Sequence, residues 1–286
     1  MIYSVYIYIV REEKKMKVGE EKKGEEKKLL KRQLALLVLV YRFRFVTIAQ
    51  IMTYEGQKHH ESVRRRLDEL VNRGFLFKRA DKTYVIDRRP AEYSLTPAAI
   101  SVLRNIPGTS EREFKRLYAR KDVSERFIAC SLALFDIRNQ FARLYGDRLS
   151  FVTKPQLKVD TFDYLPYPLP EAFITLEADT DRERHFFVEY FDDSLSIGLH
   201  GRKIARYMSY EQEGEWNVTE LSFPVVLIVC QSKRMLMKAK KRVCYLERQS
   251  ESGIRFYLVD LDTLIRQRDV RQPMWLNPIQ NEFETL

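Results

Sequence analysis

The spacing of hydrophobic residues divides the chain into a helical half and a mixed half. In the first half, Val63, Leu67 and Leu70 follow the i, i+4, i+7 spacing of an amphipathic helix, and Gly74 suits its C-terminal end. Thr96 and Pro97 are typical of a helix start. The predicted elements of this half are helices over 27–42, 46–55, 59–73 and 93–104, and a strand pair over 75–88 with a tight turn at 80–82.

The second half alternates short apolar runs with amphipathic stretches. Strands are predicted over residues 149–159, 171–178, 185–191, 223–232 and 254–264. Helices are predicted over residues 124–145, 196–212 and 234–249, the first with Ser124 as its N-cap. One helix, three strands and then alternating helices and strands predict an α/β core. The predicted organisation is a charged tail or linker over 1–28, a first domain over 29–106, a linker over 107–123, a second domain over 124–270 and a tail over 271–286.

Charge indicates the kind of partner. Lys and Arg total 50 against 40 Asp and Glu, a formal net charge of +10 and a pI near 9.4. This excess favours a polyanion, most simply nucleic acid, over an anionic membrane surface or a merely solvated charged surface. The apolar start over residues 1–10 is far shorter than the roughly 20 residues of a membrane span, so no membrane partner is expected. Translation from Met16 is an alternative start.

Several motifs of metal sites and enzymes are missing from the sequence, which limits the reactions that the protein is expected to catalyse. Cys130, Cys230 and Cys244 stand singly, with no Cys-x-x-Cys pair or Cys/His cluster, so the sequence predicts no zinc site. They are interpreted as reduced thiols of a cytoplasmic protein. No P-loop, dinucleotide fingerprint or Ser-His-Asp order is visible, which argues against nucleotide hydrolysis and acyl transfer.

The first half resembles the MarR- and PadR-like winged-helix proteins in "SVRRRLDELVNRGFL" and "YSLTPAAISVL", with Ala99 where many of them have glycine. The outward face and start of the third helix, and the predicted wing, would then contact DNA. Winged-helix proteins often bind as dimers, so a homodimer on double-stranded DNA is an expectation by analogy. The candidate DNA-binding residues are Lys58, His59, Arg64, Arg65, Lys78, Arg79, Lys82, Arg88 and Arg89.

Two carboxylates in the second half are candidate metal ligands. Glu171 opens one predicted strand, and Glu189 lies 18 residues later inside "FFVEYF". The order of elements resembles the restriction-endonuclease-like fold, whose motif is Pro-Asp or Pro-Glu followed by an acid-x-Lys strand. That resemblance implies Mg²⁺ or Mn²⁺ on Glu171 and Glu189. The lysine position holds Phe191 instead, and Lys203, beside Arg202 and Arg206 on the next helix, is the candidate replacement. Asp136 is a further candidate acid.

The whole arrangement is similar to the replication-relaxation proteins of plasmids and integrated elements. The motifs are "PEAFITL", "FFVEYFDD" and "GRKIARYMSY", followed by "FPVVLIVCQSKR". The resemblance implies an α+β protein, a winged helix followed by a nuclease-like domain, that acts in plasmid replication or mobilisation. It supports DNA binding better than cleavage, because Phe191 cannot do the work of a lysine. An active metal-dependent endonuclease and a winged-helix transcription regulator are the alternatives.

Overall fold

The computed structural model describes residues 29–80, 84, 86, 88–104, 106, 109, 113–115, 123–157, 164–178, 180–250 and 252–286 of the chain. The described residues form two compact units, one within Met1–Asp122 and the other within Val123–Leu157 and Phe162–Leu286. Both units combine helices with a sheet, so the predicted α+β class is confirmed. Within the described part of the chain, no helix has the length and apolar character needed to cross a membrane.

The first unit packs its helices against a three-stranded sheet. Its elements are α1 (Lys31–Phe43), β1 (Val46–Thr47), α2 (Ile48–Glu55), α3 (His60–Asn72), β2 (Leu76–Arg79), β3 (Glu92–Leu95) and α4 (Pro97–Leu103). β3 lies between β1 and β2 and is antiparallel to both. Thr47 and Gln50 form a reciprocal capping box at the start of α2, which explains why the apolar run breaks there into a short strand and a helix.

The predicted strand pair is partly wrong. β2 forms as expected, but its partner is β3, with Leu76 opposite Leu95, rather than a strand over 83–88. Tyr84 and Ile86 are helical, while Asp81 and Lys82 of the predicted turn lie outside the described residues. Tyr84 is buried and donates a 2.9 Å hydrogen bond to Glu92. This tertiary contact outweighs the strand-like alternation of the segment.

The second unit is built on a seven-stranded sheet. Its elements are α5 (Glu125–Tyr145), β4 (Leu149–Thr153), α6 (Lys154–Leu157), β5 (Ala172–Leu176), β6 (Arg184–Phe191), α7 (Ile197–Glu213), β7 (Val225–Cys230), α8 (Lys233–Glu247), β8 (Phe256–Asp260), α9 (Leu261–Arg266), β9 (Trp275–Asn277) and β10 (Glu282–Glu284). The strand order is β10-β9-β8-β7-β6-β5-β4. β6, β7 and β8 run parallel, and the strands outside them pair antiparallel.

The two crossover helices lie side by side on the sheet. α7 joins β6 to β7 and α8 joins β7 to β8, and the two helices pack together. Successive right-handed crossovers in one direction place both helices on the same face. Side chains at odd-numbered positions of β6 point to this face, as the stacking of Phe187 on Tyr207 shows. The even-numbered side chains point to the other face, which α5 covers.

The prediction of a tail over residues 271–286 is wrong. β9 pairs with β8, and β10 pairs with β9, so this segment adds two strands to the sheet. Trp275 is almost completely buried, and its ring lies 6.1 Å from that of Phe141 on α5. The two strands are only three residues long each, too short for a periodic signal in the sequence.

Candidate functional site

Strand register places three charged residues in one row across the sheet. Ala172 pairs with Val188 and Thr153 pairs with Ala172. The next step of each antiparallel pairing sets Glu171 opposite Glu189 and Lys154 opposite Glu171. The bond from Lys154 N to Glu171 O, at 2.9 Å, follows this continuation, whereas Glu171 N donates to Val188 O at 3.0 Å, one residue short of Glu189. Paired residues point to the same face of a sheet, so the three side chains meet under α7.

Helix α7 supplies the fourth charge. Lys203 Nζ donates to Glu189 Oε2 at 2.5 Å and to Glu171 Oε1 at 3.1 Å. Lys154 Nζ donates to the same Glu171 oxygen at 3.0 Å. We call Lys154, Glu171, Glu189 and Lys203 the acid–lysine cluster. The structure therefore brings together all three predicted catalytic residues and adds a second lysine.

Tyr207 completes the hydrogen bonding of Glu189. It lies four residues after Lys203 and so projects from the same side of α7. Its hydroxyl donates to Glu189 Oε1 at 2.8 Å, while Lys203 occupies the other carboxylate oxygen. The Glu189 side chain is only 2% exposed. A carboxylate buried to this extent needs such partners, because an unpaired buried charge is costly.

Opposite charges in the cluster favour the ionised forms of Glu171 and Lys203. Burial by itself would raise the pKa of Glu171, but the charges and hydrogen bonds of Lys203 and Lys154 lower it to about 2. Burial would likewise lower the pKa of Lys203, but Glu189 and Glu171 raise it above its ordinary value. Burial, with the neighbouring Glu189 carboxylate, raises the pKa of Tyr207 well above the ordinary value. Two carboxylates and two ammonium groups therefore form a cluster with no formal net charge.

Phe191 lies two residues after Glu189, at the position where the restriction-endonuclease motif has a lysine. It points to the same face as Glu189, is fully buried, and stacks on His200 of α7 with the ring centres 4.2 Å apart. The side chain two positions after Glu189 is thus part of the packing between β6 and α7. Asp136 lies on α5, which covers the opposite face of the sheet. No group of three or more His, Cys, Asp or Glu residues suited to a metal occurs among the described residues.

A metal ion would have an incomplete set of ligands in this cluster. The carboxylates of Glu171 and Glu189 have the oxygen chemistry that Mg²⁺ and Mn²⁺ prefer. However, the Lys203 ammonium group already lies between them and donates to both. A divalent ion would have to displace this ammonium group. The cluster therefore offers oxygen atoms that suit a metal ion, but lysine side chains already balance their negative charge.

The end of β6 is anchored to α5 by a second ion pair. Asp192 is buried and accepts three hydrogen bonds of 2.7–3.0 Å from Arg126. Burial would raise the pKa of Asp192, but Arg126 and the Ser194 hydroxyl lower it well below the ordinary value. His200 Nε2 lies 3.0 Å from the Asp192 carbonyl oxygen. This network fixes the strand that carries Glu189.

A narrow cleft lies beside the cluster. It is lined by Pro166, Pro168, Glu189, Lys203, Arg206 and Tyr207. Arg206 donates to the Tyr167 carbonyl oxygen at 3.0 Å and pairs with Glu213 at 2.8 Å, so it holds the proline loop against α7. Arg202 is exposed. The two arginines predicted beside Lys203 therefore differ, since one is tied to the loop and the other faces solvent.

Most predicted DNA-binding residues of the first unit lie at its surface. Val63, Leu67 and Leu70 of α3 are fully buried, which leaves the opposite side of the helix exposed. Arg64 pairs with Glu61 at 2.8 Å, but both side chains are more than half exposed. Arg65 is exposed and has no ion-pair partner in the described part of the chain. The exposed candidates are Lys58, His59, Arg64, Arg65, Lys78, Arg88 and Arg89.

Four candidates either contact other residues of the unit, are less exposed, or lie outside the described residues. Arg89 donates to buried Glu92 at 3.0 Å and lies over the Tyr84 ring at 4.5 Å. Lys78, although exposed, lies 3.6 Å from Asp68. Arg79 is half-buried, and Lys82 lies outside the described residues. Arg89 thus has a structural partner that the sequence pattern does not reveal.

Lys154 and Tyr207 are the members of the site that sequence reasoning missed. Lys154 directly follows Thr153 at the end of β4, inside a segment predicted as one long strand. The i, i+4 spacing of Lys203 and Tyr207 is a signal that the sequence does contain. No comparable signal marks Lys154, because its partner depends on the register between β4 and β5.

The fold is that of an α+β protein of two units, with a partly buried acid–lysine cluster in the second. A family model described as replication-relaxation matches residues 37–226, about two thirds of the chain, and the chain belongs to this family. The predicted family is therefore confirmed. No curated protein and no solved structure matches the chain. Membership of the family suggests a role in plasmid replication or mobilisation.

Proposed function

We propose that the protein binds double-stranded DNA of a plasmid or mobile element, through a winged helix in the first unit. The observation that carries the proposal is the exposed side of α3, where Lys58, His59, Arg64 and Arg65 face solvent while the opposite side is buried. Residues at the start and outward face of such a helix are those that reach base edges and phosphates in a major groove.

The start of α3 carries one cation, Lys58, and one carboxylate, Glu61 in the first turn. Lys58, His59 and His60 surround its first turn, and His59 is the N-cap residue without a side-chain capping hydrogen bond. The N-terminus of a helix carries a partial positive charge, so acidic residues are favourable there and cations are not. Glu61 therefore stabilises the first turn, whereas the exposed Lys58 does not and is available to an external anion. The formal charge of +10 points the same way.

We propose that the second unit is a degenerate nuclease-like domain. Its acid–lysine cluster is already neutralised by Lys154 and Lys203, and Phe191 is packed against His200. Two carboxylates that hold two ammonium groups have little electrostatic drive to bind a divalent cation. The cluster then serves to join β4, β5, β6 and α7 and to keep this side of the sheet in shape.

The test of DNA binding uses a pool of random 30-base-pair duplexes. Selection on the full chain should enrich a defined sequence, and fluorescence anisotropy should show at least tenfold loss of affinity for it between low and physiological salt. A palindromic site would indicate that two copies bind together as a homodimer. Failure to enrich any sequence, with an affinity that does not respond to salt, would remove the proposal.

A metal-dependent endonuclease is the second candidate, favoured by the convergence of Glu171, Glu189 and Lys203. Glu171 and Glu189 would hold Mg²⁺ or Mn²⁺, which would supply an acidified water for phosphodiester hydrolysis. Lys203 would then lie beside the scissile phosphate, at the end of the cleft that Arg206 borders. A supercoiled plasmid incubated with each metal separates the two candidates. Mn²⁺-dependent nicking that Glu189→Gln abolishes would establish the enzyme, whereas an intact plasmid supports the DNA-binding role alone.

A further inference from the structure

Helix α8 carries much of the positive charge of the chain. Its 15 residues contain six cationic side chains and one acidic one, a formal +5 against +10 for the whole chain. The cations are Lys233, Arg234, Lys238, Lys240, Lys241 and Arg242. The helix begins after residue 226, where the match to the family model ends, so this concentration is a feature of this chain that the family match does not cover.

The cations form an exposed stripe because the apolar side of α8 is used internally. Met235, Ala239 and Val243 recur every four residues and are buried, and the helix packs on β7 and β8. Spacings of four, three, four and three residues align the exposed residues along the outer side. We call this set the α8 stripe: Arg234, Lys238, Lys241, Tyr245 and Arg248. At about 1.5 Å per residue, the stripe is about 21 Å long.

Ion pairs within the described part of the chain do not explain why these cations are grouped on one side of α8. Arg234 lies 3.6 Å from Asp193, and its side chain is 71% exposed. Among the described residues, no acidic side chain lies within 4 Å of Lys238, Lys241 or Arg248. Like charges three or four residues apart repel, and cations in the first turn oppose the helix dipole. The stripe therefore costs stability in the free protein.

We propose that the α8 stripe binds the sugar–phosphate backbone of DNA without reading its sequence, as a second contact surface in the second unit. This inference rests on the proposed DNA binding. A length of about 21 Å covers about six base pairs, since phosphates recur every 3.4 Å along each strand. Lys238 and Lys241 would each neutralise one phosphate, and the exposed ring of Tyr245 would pack against sugar.

The composition of the stripe favours nucleic acid over an anionic membrane. An interfacial helix buries a continuous apolar face in the lipid headgroups. The apolar side of α8 is already covered by the sheet, and its exposed large apolar side chains are Met237 and Tyr245. A helix that exposes positive charge but has no free apolar face is suited to binding nucleic acid rather than lipid.

The test compares two double variants with the same change in charge. Lys238→Gln/Lys241→Gln removes two cations from the stripe. Arg182→Gln/Arg184→Gln, called the turn variant, removes two exposed cations, one from the turn before β6 and one from the first position of β6. Affinity for a random-sequence 30-base-pair duplex is measured by anisotropy from 50 to 300 mM salt. The stripe variant should bind about tenfold more weakly at low salt, and its log–log salt slope should fall by about two. The turn variant should keep the slope of the parent.

Each other outcome has a defined meaning. A parent that binds DNA, with an unchanged slope in the stripe variant, would overturn this inference and leave the proposed function intact. Equal losses in both double variants would also overturn it, because net charge would then explain the effect. A parent that binds no DNA would remove both proposals. Binding to phosphatidylserine vesicles that only the stripe variant loses, with DNA binding unchanged, would assign the stripe to membranes.

Discussion

The outer side of α3 and the acid–lysine cluster use the same kinds of charged residue in opposite ways. On α3, Arg65 faces solvent and has no ion-pair partner among the residues that the structure describes. In the cluster, Lys203 is bound to two carboxylates, one of them only 2% exposed. A charge that is exposed and unpaired remains available to an external partner, whereas a buried and paired charge contributes to the fold. The comparison indicates where DNA contact is expected and where a substitution should unfold the protein.

The largest expected effect is on stability and comes from Lys203. Lys203→Met leaves Glu171 and Glu189 facing each other without their shared cation, and the free energy of unfolding should fall by about 3 kcal/mol. Urea denaturation at pH 7 measures this. The matched control is Lys58→Met at the exposed start of α3, which should change the free energy by less than about 0.5 kcal/mol. Equal effects of the two substitutions would contradict the contrast between the regions.

Arg65 should have the largest effect on DNA recognition. Arg65→Ala removes an exposed side chain, so folding should be unchanged while binding to the selected site weakens by about 1–3 kcal/mol. Anisotropy with selected and random duplexes measures the specific part of the loss. Arg32→Ala, on the exposed side of α1, is the control and should bind like the parent. If Arg65→Ala also binds like the parent, α3 is not the recognition helix.

Tyr207 tests how much one hydrogen bond contributes to the cluster. Tyr207→Phe removes the hydroxyl that donates to buried Glu189, and the free energy of unfolding should fall by about 1.5 kcal/mol. Tyr245→Phe, at an exposed position of α8, should leave it unchanged. In a Glu189→Gln background the effect of Tyr207→Phe should be smaller, because the charged acceptor is gone. An undiminished loss in that background would mean that the hydroxyl acts on another group.

The smallest effect is expected from Arg126, because its side chain is 44% exposed and water screens its charge. Arg126→Met should lower the free energy of unfolding by about 1 kcal/mol at pH 7. The pKa of Asp192 is lowered in the folded parent, so the pairing stabilises above the ordinary Asp pKa of about 3.9 and is lost as the pH falls. The difference between variant and parent should therefore be nearly constant from pH 7 to about pH 5 and shrink as the pH falls below about 4. A difference that does not shrink below about pH 4 would exclude Asp192 as its source.

Local patterns determined several features of the molecule. The spacing of Val63, Leu67 and Leu70 predicts α3 and its exposed side, because a helix surface depends only on its own periodicity. Glu171, Glu189 and Lys203 were identified from short motifs, and their meeting point follows once β5 and β6 pair as a hairpin. The family, too, follows from these motifs.

Contacts between distant segments decided the rest. Lys154 joins the cluster only because β4 pairs with β5 in one register, and a shift of one residue would turn its side chain to the other face. Tyr84 is held by Glu92, and Trp275 is buried by strands too short to show a pattern. The sequence by itself therefore determined which groups can carry charge and which local elements form. Tertiary structure decided which charges are neutralised, because that depends on the register and burial that packing imposes.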